Sequence, residues 1–195
     1  QGGKIAITAG ETVTNEGQIE ARGTQLAGGE ITIDAKNVKN IATIDASGKT
    51  QGGKVTITAT DTISNEGEIL AEGEVGGQIK LTASEITQAV NSTISARSVA
   101  MANENADYLE NDPLLEQSLQ QELQQAKITI DATHAVSLQG KLDVSSIDHD
   151  GGTLTIKADV AQFIDIELNA ASSLASGGAV DIESSVTYLD NALID

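Results

Sequence analysis

The stretch Gly2-Gly3-Lys4-Ile5-Ala6-Ile7-Thr8-Ala9 returns 50 residues later as Gly52-Gly53-Lys54-Val55-Thr56-Ile57-Thr58-Ala59, and this repetition decides the fold. The chain has six Gly-Gly pairs, which begin at Gly2, Gly28, Gly52, Gly76, Gly151 and Gly177. Their spacings are 26, 24, 24, 75 and 26 residues, and 75 is three units of 25. A fixed period of about 20–50 residues is the signature of stacked structural repeats.

Each unit contains three short segments in which apolar and polar residues alternate, and this period of two predicts β-strands. The first segment follows the glycines. The second is marked by one apolar residue per unit, at Val13, Val38, Ile63, Ile86, Val136, Val160 and Val186. The third is marked by Ile19, Ile44, Ile69, Ile94, Leu142, Leu168 and Leu193.

Like residues recur one whole unit later, so we expect strands to pair between units and in parallel. The pattern predicts an all-β fold, a right-handed parallel β-helix of about seven three-stranded coils of about 25 residues, with one α-helical insertion. An antiparallel β-sandwich is the competing interpretation, but sandwiches do not keep such a register of like residues. The inward Ile, Val, Leu and Ala side chains predict a narrow lumen that excludes rings such as that of Phe163.

Asparagines mark one corner of the predicted coil. Asn15, Asn40, Asn65 and Asn91 come just before the third strand, and Asn191 nearly repeats the placement. Asn tolerates tight bends, and stacked amides can hydrogen-bond to one another. We therefore interpret this row as structural.

The periodicity breaks once. The segment 101–126 divides the solenoid into coils 1–4 over residues 1–100 and coils 5–7 over 127–195. Asp112 and Pro113 are typical of a helix start, and a stripe of Leu residues follows. The stripe is expected to pack on the flank of the solenoid or to contact a partner, and the candidate contact residues are Tyr108, Leu109, Leu115, Leu119 and Leu123.

Composition excludes several functions. The 195 residues carry 29 acids and 11 bases, a net charge of −18, which argues against nucleic acid and anionic lipid as partners. There is no Cys, and no apolar stretch is long enough to span a membrane. The start at a coil boundary and the absence of capping segments lead us to expect a piece of a longer protein, with open ends that favour end-to-end pairing.

Catalytic and metal-binding patterns were sought on the outward positions of the first strands. These positions read Ala6, Thr32, Thr56, Lys80, Thr129, Thr155 and Asp181, and then Thr8, Asp34, Thr58, Thr82, Asp131, Lys157 and Glu183. Asp34 and Asp131 are predicted to lie too far apart to act together, and the Thr rows are too interrupted for ice binding. We expect no enzyme and no cofactor. Weak calcium binding is open at Asp148-His149-Asp150-Gly151 or Glu110-Asn111-Asp112.

The repeat from Gly2 to Ala21, which returns from Gly52 to Ile69, resembles the haemagglutinin repeats of filamentous haemagglutinin-like exoproteins. These are large adhesins that Gram-negative bacteria export by two-partner secretion. The resemblance implies a secreted or cell-surface shaft that acts in attachment, biofilm or contact-dependent interaction. It implies as partners an outer-membrane transporter during export and a component of a host cell, neighbouring cell or matrix. A self-assembling filament subunit is the alternative function, and a carbohydrate-active β-helix enzyme is a third.

Overall fold

A computed structural model describes residues 1–99 and 126–195, and these residues form strands, turns and loops without a helix. The thirteen strands are β1 Lys4–Thr8, β2 Thr12–Asn15, β3 Gln18–Glu20, β4 Glu30–Asn40, β5 Thr43–Asp45, β6 Lys54–Asn65, β7 Glu68–Leu70, β8 Gln78–Gln88, β9 Thr93–Ser95, β10 Lys127–Asp143, β11 Thr153–Asn169, β12 Ala179–Asp190 and β13 Leu193–Ile194.

All strand pairs are parallel, and each strand pairs with its equivalent one unit later. Residue 5 pairs with 31, and Ile19 pairs with Ile44, as the repeat predicts. Parallel pairing between units excludes the antiparallel sandwich. The described chain is therefore a parallel β-solenoid with a single continuous ladder.

The count of coils needs correction. The first strands of each unit form a ladder of β1, β4, β6, β8, β10, β11 and β12, which we number layers 1 to 7. Six pairings connect these layers, so the chain makes about six turns rather than about seven. Counting sequence repeats counts layers, whereas a turn is the path from one layer to the next.

The predicted three short strands per coil also merge. In layer 1 they are separate, but β4, β6, β8 and β12 each run through the first corner, and β10 and β11 run through both corners. Register shifts mark these corners, for example between Ala35 and Asn37 and between Ala132 and Ala135. The backbone thus turns by bulges rather than by breaks in the ladder.

Layers 4 and 5 stack directly, although 26 residues of sequence separate Val99 from Ala126. Ile79 pairs with Ile128, and Ile94 pairs with Leu142. The solenoid therefore continues across the interruption as one body. The predicted helical insertion at 101–126 lies, apart from its last residue, outside the described residues.

Inward side chains form one apolar core along the axis. The columns of Ile5, Ile7 and Ile19 continue through every layer, and from layer 2 to layer 6 their members are at most 1% exposed. Full burial of such a side chain stabilises the fold by about 1.5–3 kcal/mol. Because every layer contributes several of them, burial along the lumen is a major source of stability.

Three predicted core positions are wrong by one residue. Val136 pairs with Ala161 and then Thr187, so Val160 and Val186 point away from the lumen. The first corner of layer 6 is one residue shorter than that of layer 5, and a shift of one residue moves a side chain to the other face. Leu193 is displaced for a related reason, because the step from layer 6 to layer 7 is 26 residues and Ile194 takes the core column.

The lumen also accepts a ring. Phe163 is fully buried between Leu138 of layer 5 and Leu189 of layer 7, contrary to the prediction that aromatic rings are excluded. The neighbouring inward residue on the same strand is Ala161, the smallest side chain of its column. A small residue beside a large one keeps the cross-section filled.

The Gly-Gly pairs are required by close backbone approach. A Cβ atom on Gly28 would lie 1.8 Å from the carbonyl oxygen of Ala46, and one on Gly52 would lie 1.9 Å from that of Ala71. The second glycine of the following pair donates its amide to that alanine carbonyl, as Gly53 does to Ala46 and Gly77 does to Ala71, both at 2.8 Å. The period in the sequence therefore reports a tight crossing that closes each turn.

Candidate functional site

The outward side chains of the first strands form a polar surface of the solenoid, which we call the front face. Its three columns are Lys4, Glu30, Lys54, Gln78, Lys127, Thr153 and Ala179; Ala6, Thr32, Thr56, Lys80, Thr129, Thr155 and Asp181; and Thr8, Asp34, Thr58, Thr82, Asp131, Lys157 and Glu183. The register confirms the two columns predicted from the sequence. The first column, which follows the glycines directly, was not identified from the sequence.

At the lower end of the front face, Lys4 and Glu30 form an ion pair of 2.9 Å between layers 1 and 2. The hydrogen bond and the charge of Lys4 lower the pKa of Glu30 below its ordinary value, and the charge of Lys54 adds to this effect. The carboxylate of Glu30 therefore stays ionised, with lysine above and below it in the column.

At the upper end, Lys157 and Glu183 form an equivalent ion pair of 2.9 Å between layers 6 and 7. The hydrogen bond and the charge of Glu183 raise the pKa of Lys157, and Asp181 and Asp131 contribute in the same direction. Both ends of the front face thus carry opposite charges stacked one layer apart.

The middle of the front face differs, because its lysines form no ion pair with an acid. Lys54, Lys80 and Lys127 are exposed and lie in layers 3, 4 and 5, and no ion pair in residues 1–99 and 126–195 includes them. With Gln78 and Thr129 they line a shallow depression of about 320 Å³. We call these three residues the lysine cluster. The signal for it in the sequence is Lys54 directly after Gly53, with Lys80 one layer above in the neighbouring column and Lys127 two layers above in the same column.

Asp34 and Asp131 on the front face are not arranged for glycoside cleavage. Asp34 lies in layer 2 and Asp131 in layer 5, which are three layers or about 14 Å apart. Pairs of catalytic carboxyl groups lie about 5–10 Å apart in retaining and inverting glycosidases. These two residues therefore cannot form such a pair.

One Ser–His contact lies at the first corner. The Oγ of Ser84 is 2.8 Å from Nδ1 of His134, and the hydroxyl of Thr133 is 3.1 Å from the same nitrogen. Thr133 and His134 are exposed, and Ser84 is half-buried. Within the described part of the chain no carboxylate hydrogen-bonds to His134, so the group that orients the base in a catalytic triad is missing from this contact.

The asparagine row is a structural column inside the second corner. Asn15 donates through Nδ2 to Oδ1 of Asn40 at 2.8 Å, and Asn40 donates to Oδ1 of Asn65 at the same distance. The same amides donate to the backbone carbonyls of Thr43 and Glu68 at 3.0 and 3.1 Å. The three asparagines are at most 7% exposed, so the prediction of a bonded row is confirmed for them.

The row does not continue to Asn91, which is exposed, because Gln88 occupies the column in layer 4. Nε2 of Gln88 donates to the carbonyls of Ser92 and Lys141, but its buried Oε1 has no hydrogen-bond partner. Asn191 is also outside the column. It has a positive φ of 52° and donates to Oδ1 of Asp165 on the surface.

A second buried polar position is the last residue of the third strand, and the sequence analysis missed it. Asp45 and Asp143 are at most 4% exposed, and each accepts a hydrogen bond from the amide two residues later. Arg22 lies 3.3 Å from Asp45, and Lys141 lies 3.1 Å from Asp143. These contacts stabilise the turn after the third strand. In the sequence, the feature that indicates such a position is an Asp or Ser directly before a turn.

The loop at Asp148-His149-Asp150-Gly151 forms hydrogen bonds to the next layer of the solenoid. Oδ1 of Asp150 accepts the amide of Ser176 from the next layer at 3.0 Å, and the carbonyl of His149 accepts the hydroxyl of Ser172 at 2.7 Å. No group of three or more His, Asp or Glu side chains suited to a metal ion occurs in the described ranges. Glu110-Asn111-Asp112 lies outside them.

The predicted partner-contact residues lie within 100–125 and therefore outside the described residues: Tyr108, Leu109, Leu115, Leu119 and Leu123. Across the described strands and loops, no helix of the length and apolarity needed to cross a membrane is found. No protein-family model matches the chain, and comparison with curated proteins and with solved structures finds no match.

Proposed function

We propose that this chain is a shaft segment of a large secreted bacterial surface adhesin, which acts in attachment, biofilm or contact-dependent interaction. The observation that supports this role is the unbroken parallel ladder through all described layers, with one lumen packed along its length. Seven layers extend over about 29 Å. In such a rod each layer contacts only its neighbours, so length is added without a change in design.

The proposed shaft has three further features: the handedness of its coils, its insertion and its route of export. The crossovers are right-handed, in keeping with the strong bias of parallel connections. The segment 101–126 forms an α-helical insertion whose Leu stripe packs on the flank or contacts a partner. The resemblance of the Gly2–Ala21 repeat to haemagglutinin repeats supports export through an outer-membrane transporter to the cell surface.

Detection on intact cells tests the adhesin role. An antibody raised against this chain is expected to label unpermeabilised cells of the producing strain, or its culture medium, and protease treatment of intact cells should remove the surface label. Labelling that appears only after permeabilisation would contradict the proposal. An unrelated periplasmic protein serves as the control for leakage.

The insertion gives a second test. Deletion of residues 103–125 with a short Gly-Ser closure should preserve the β-rich circular dichroism spectrum, since layers 4 and 5 pair directly. If the insertion contacts a cell-surface partner, adhesion of the purified chain to target cells should be lost. Unchanged adhesion would exclude this segment as the contact.

The alternative function is a filament subunit that stacks end to end. The parallel ladder supports it, because a further layer can pair with either end of the ladder by the same register. Exposed strand edges and apolar ends promote pairing between chains. Size-exclusion chromatography with light scattering over a concentration series separates the two functions, since a filament subunit grows in mass and an isolated shaft segment does not.

A further inference from the structure

The lysine cluster is unusual for a chain with a net charge of −18. All eleven bases lie in the described ranges, and ion pairs include seven of them. The other four are Lys49, Lys54, Lys80 and Lys127, and three of these four form the cluster. Bases are therefore paired almost everywhere except at one site on the front face.

The first column of the front face shows that the lysine cluster lacks an acidic residue between Lys54 and Lys127. Lys4, Glu30 and Lys54 alternate in sign from layer 1 to layer 3, but the next position is the uncharged Gln78, followed by Lys127. A glutamate at position 78 would lie one layer, about 4.8 Å, from both lysines and would complete the alternation. The protein instead keeps three like charges close together, which disfavours the fold by mutual repulsion. Local conflicts of this kind are typical of functional sites.

We propose that the lysine cluster binds a linear polysaccharide that carries carboxylate groups. Lys54 and Lys127 are two layers, or about 10 Å, apart along the axis, and Lys80 lies between them on the neighbouring column. Such a strip of point charges suits a polymer in which carboxylates recur along an extended chain. The hydroxyls of Thr56 and Thr129, which flank Lys80 in its column, can hydrogen-bond to sugar hydroxyls.

The surface favours a polysaccharide over other polyanions. The backbone amides and carbonyls beneath the cluster are used in the ladder between layers, so a peptide cannot bind there by strand addition. The overall negative charge of the protein repels every polyanion, and it repels most strongly one with the charge density of a nucleic acid, about one charge per 1.7 Å. Neither aromatic residue of the described part, Phe163 or Tyr188, lies on the front face, so attraction depends on charge rather than on ring stacking. The inference does not depend on the adhesin role proposed above.

Titration calorimetry with polygalacturonate, a linear polymer of uronates, tests the site on the full chain. We expect binding at about 50 mM salt that weakens at least tenfold at about 200 mM salt, because the contacts are between charges. Each of the variants Lys54→Gln, Lys80→Gln and Lys127→Gln should weaken binding about fivefold. Lys49→Gln, which removes an unpaired base away from the front face, is the matched control and should bind as the wild type does.

The variant Gln78→Glu separates binding from folding. It adds one carboxylate beside Lys54 and Lys127, so it should weaken binding at least tenfold while the melting temperature by circular dichroism stays the same or rises. Absence of binding by the wild type, or equal binding by the Gln78→Glu variant, would overturn the proposal. Equal affinity for poly-glutamate or dextran sulfate would replace the carboxylated polysaccharide with an unselective polyanion and would also reject it.

Discussion

Layers 1 to 3 and layers 5 to 7 share one backbone path, but their second corners are filled with opposite chemistry. In the lower layers the column contains Asn15, Asn40 and Asn65, joined by amide hydrogen bonds. In the upper layers the same column contains Leu138, Phe163 and Leu189. The ladder between strands is continuous through both regions, so the fold does not depend on which chemistry fills the corner.

At the boundary between the two regions, where the column changes from polar to apolar side chains, one hydrogen bond is missing. Gln88 in layer 4 stacks on Asn65 below and on Leu138 above. Each side-chain oxygen in the row accepts from the amide of the layer below, but Nδ2 of Asn65 donates to the carbonyl of Gly67 at 3.2 Å, and Oε1 of Gln88 is left buried without a partner. The amide row therefore ends at the step from Asn65 to Gln88, and this mismatched junction leaves one buried polar atom unsatisfied.

The largest expected effect is one that the two regions share. Gly52→Ala and Gly151→Ala each place a Cβ about 2 Å from an alanine carbonyl oxygen, that of Ala71 or Ala170. Relief of this overlap requires movement of backbone, so each variant should lose about 3 kcal/mol or more of unfolding free energy. Urea denaturation measures the loss, and similar values would show that the glycine crossing is equivalent in both regions.

Gly177→Ala is the matched control, because this glycine opens the last pair and has no atom within 4 Å of the added Cβ. Its effect should stay within about 0.5 kcal/mol. A loss as large as that of Gly52→Ala would contradict close approach as the cause, since Gly→Ala at an unstrained position restricts the unfolded chain and by itself raises stability slightly.

A smaller effect should separate the two regions. Asn40→Leu removes the donor to Oδ1 of Asn65 and to the Glu68 carbonyl, and the acceptor of Asn15. Buried groups left without partners should lower the unfolding free energy by about 2–4 kcal/mol. The measurement is again urea denaturation, and a neutral result would show that the amide row contributes nothing beyond filling space.

The mirror variant lies at the boundary. Gln88→Leu removes the unpartnered Oε1 and extends the apolar column of the upper layers downward by one layer. The Ser92 carbonyl keeps its bond from the amide of Lys141 at 3.1 Å. We expect a gain of about 1 kcal/mol in unfolding free energy, opposite in sign to Asn40→Leu. A loss of similar size to that of Asn40→Leu would contradict the idea of a mismatched junction.

The smallest effect concerns charge in the upper region. Burial lowers the pKa of Lys141, but hydrogen bonds and charges from Glu167 and Asp143 outweigh it and raise the pKa above its ordinary value. A raised pKa in the folded state gives stability that is present below the unfolded pKa, near 10.5, and is lost as pH rises through the folded pKa. The unfolding free energy of the wild type should therefore exceed that of Lys141→Gln at neutral pH by less than about 1 kcal/mol, and the difference should shrink in alkali.

The prediction from sequence was most accurate where one repeat unit maps directly onto the next. Parallel stacking, the outward columns of Thr, Asp and Lys, and the bonded row of Asn15, Asn40 and Asn65 all follow from comparison of one unit with its neighbour. The predicted helix and its contact residues lie outside the described residues and stay predictions, as do right-handed coiling and the adhesin role.

What only the tertiary structure decided lies at the corners and on the surface. A corner can differ by one residue between layers without breaking the ladder, as between Asp131 and Ala135. Sequence spacing alone therefore assigned Val160, Val186 and Leu193 to the wrong face. The lumen admitted Phe163 because a small neighbour left room. The lysine cluster became visible only when the layers were aligned, since the charge of a side chain is set by its residue type but its freedom from a partner is set by what stacks above and below it. Local alternation and period determined the solenoid, and contacts between turns determined which charged side chains on its surface are paired.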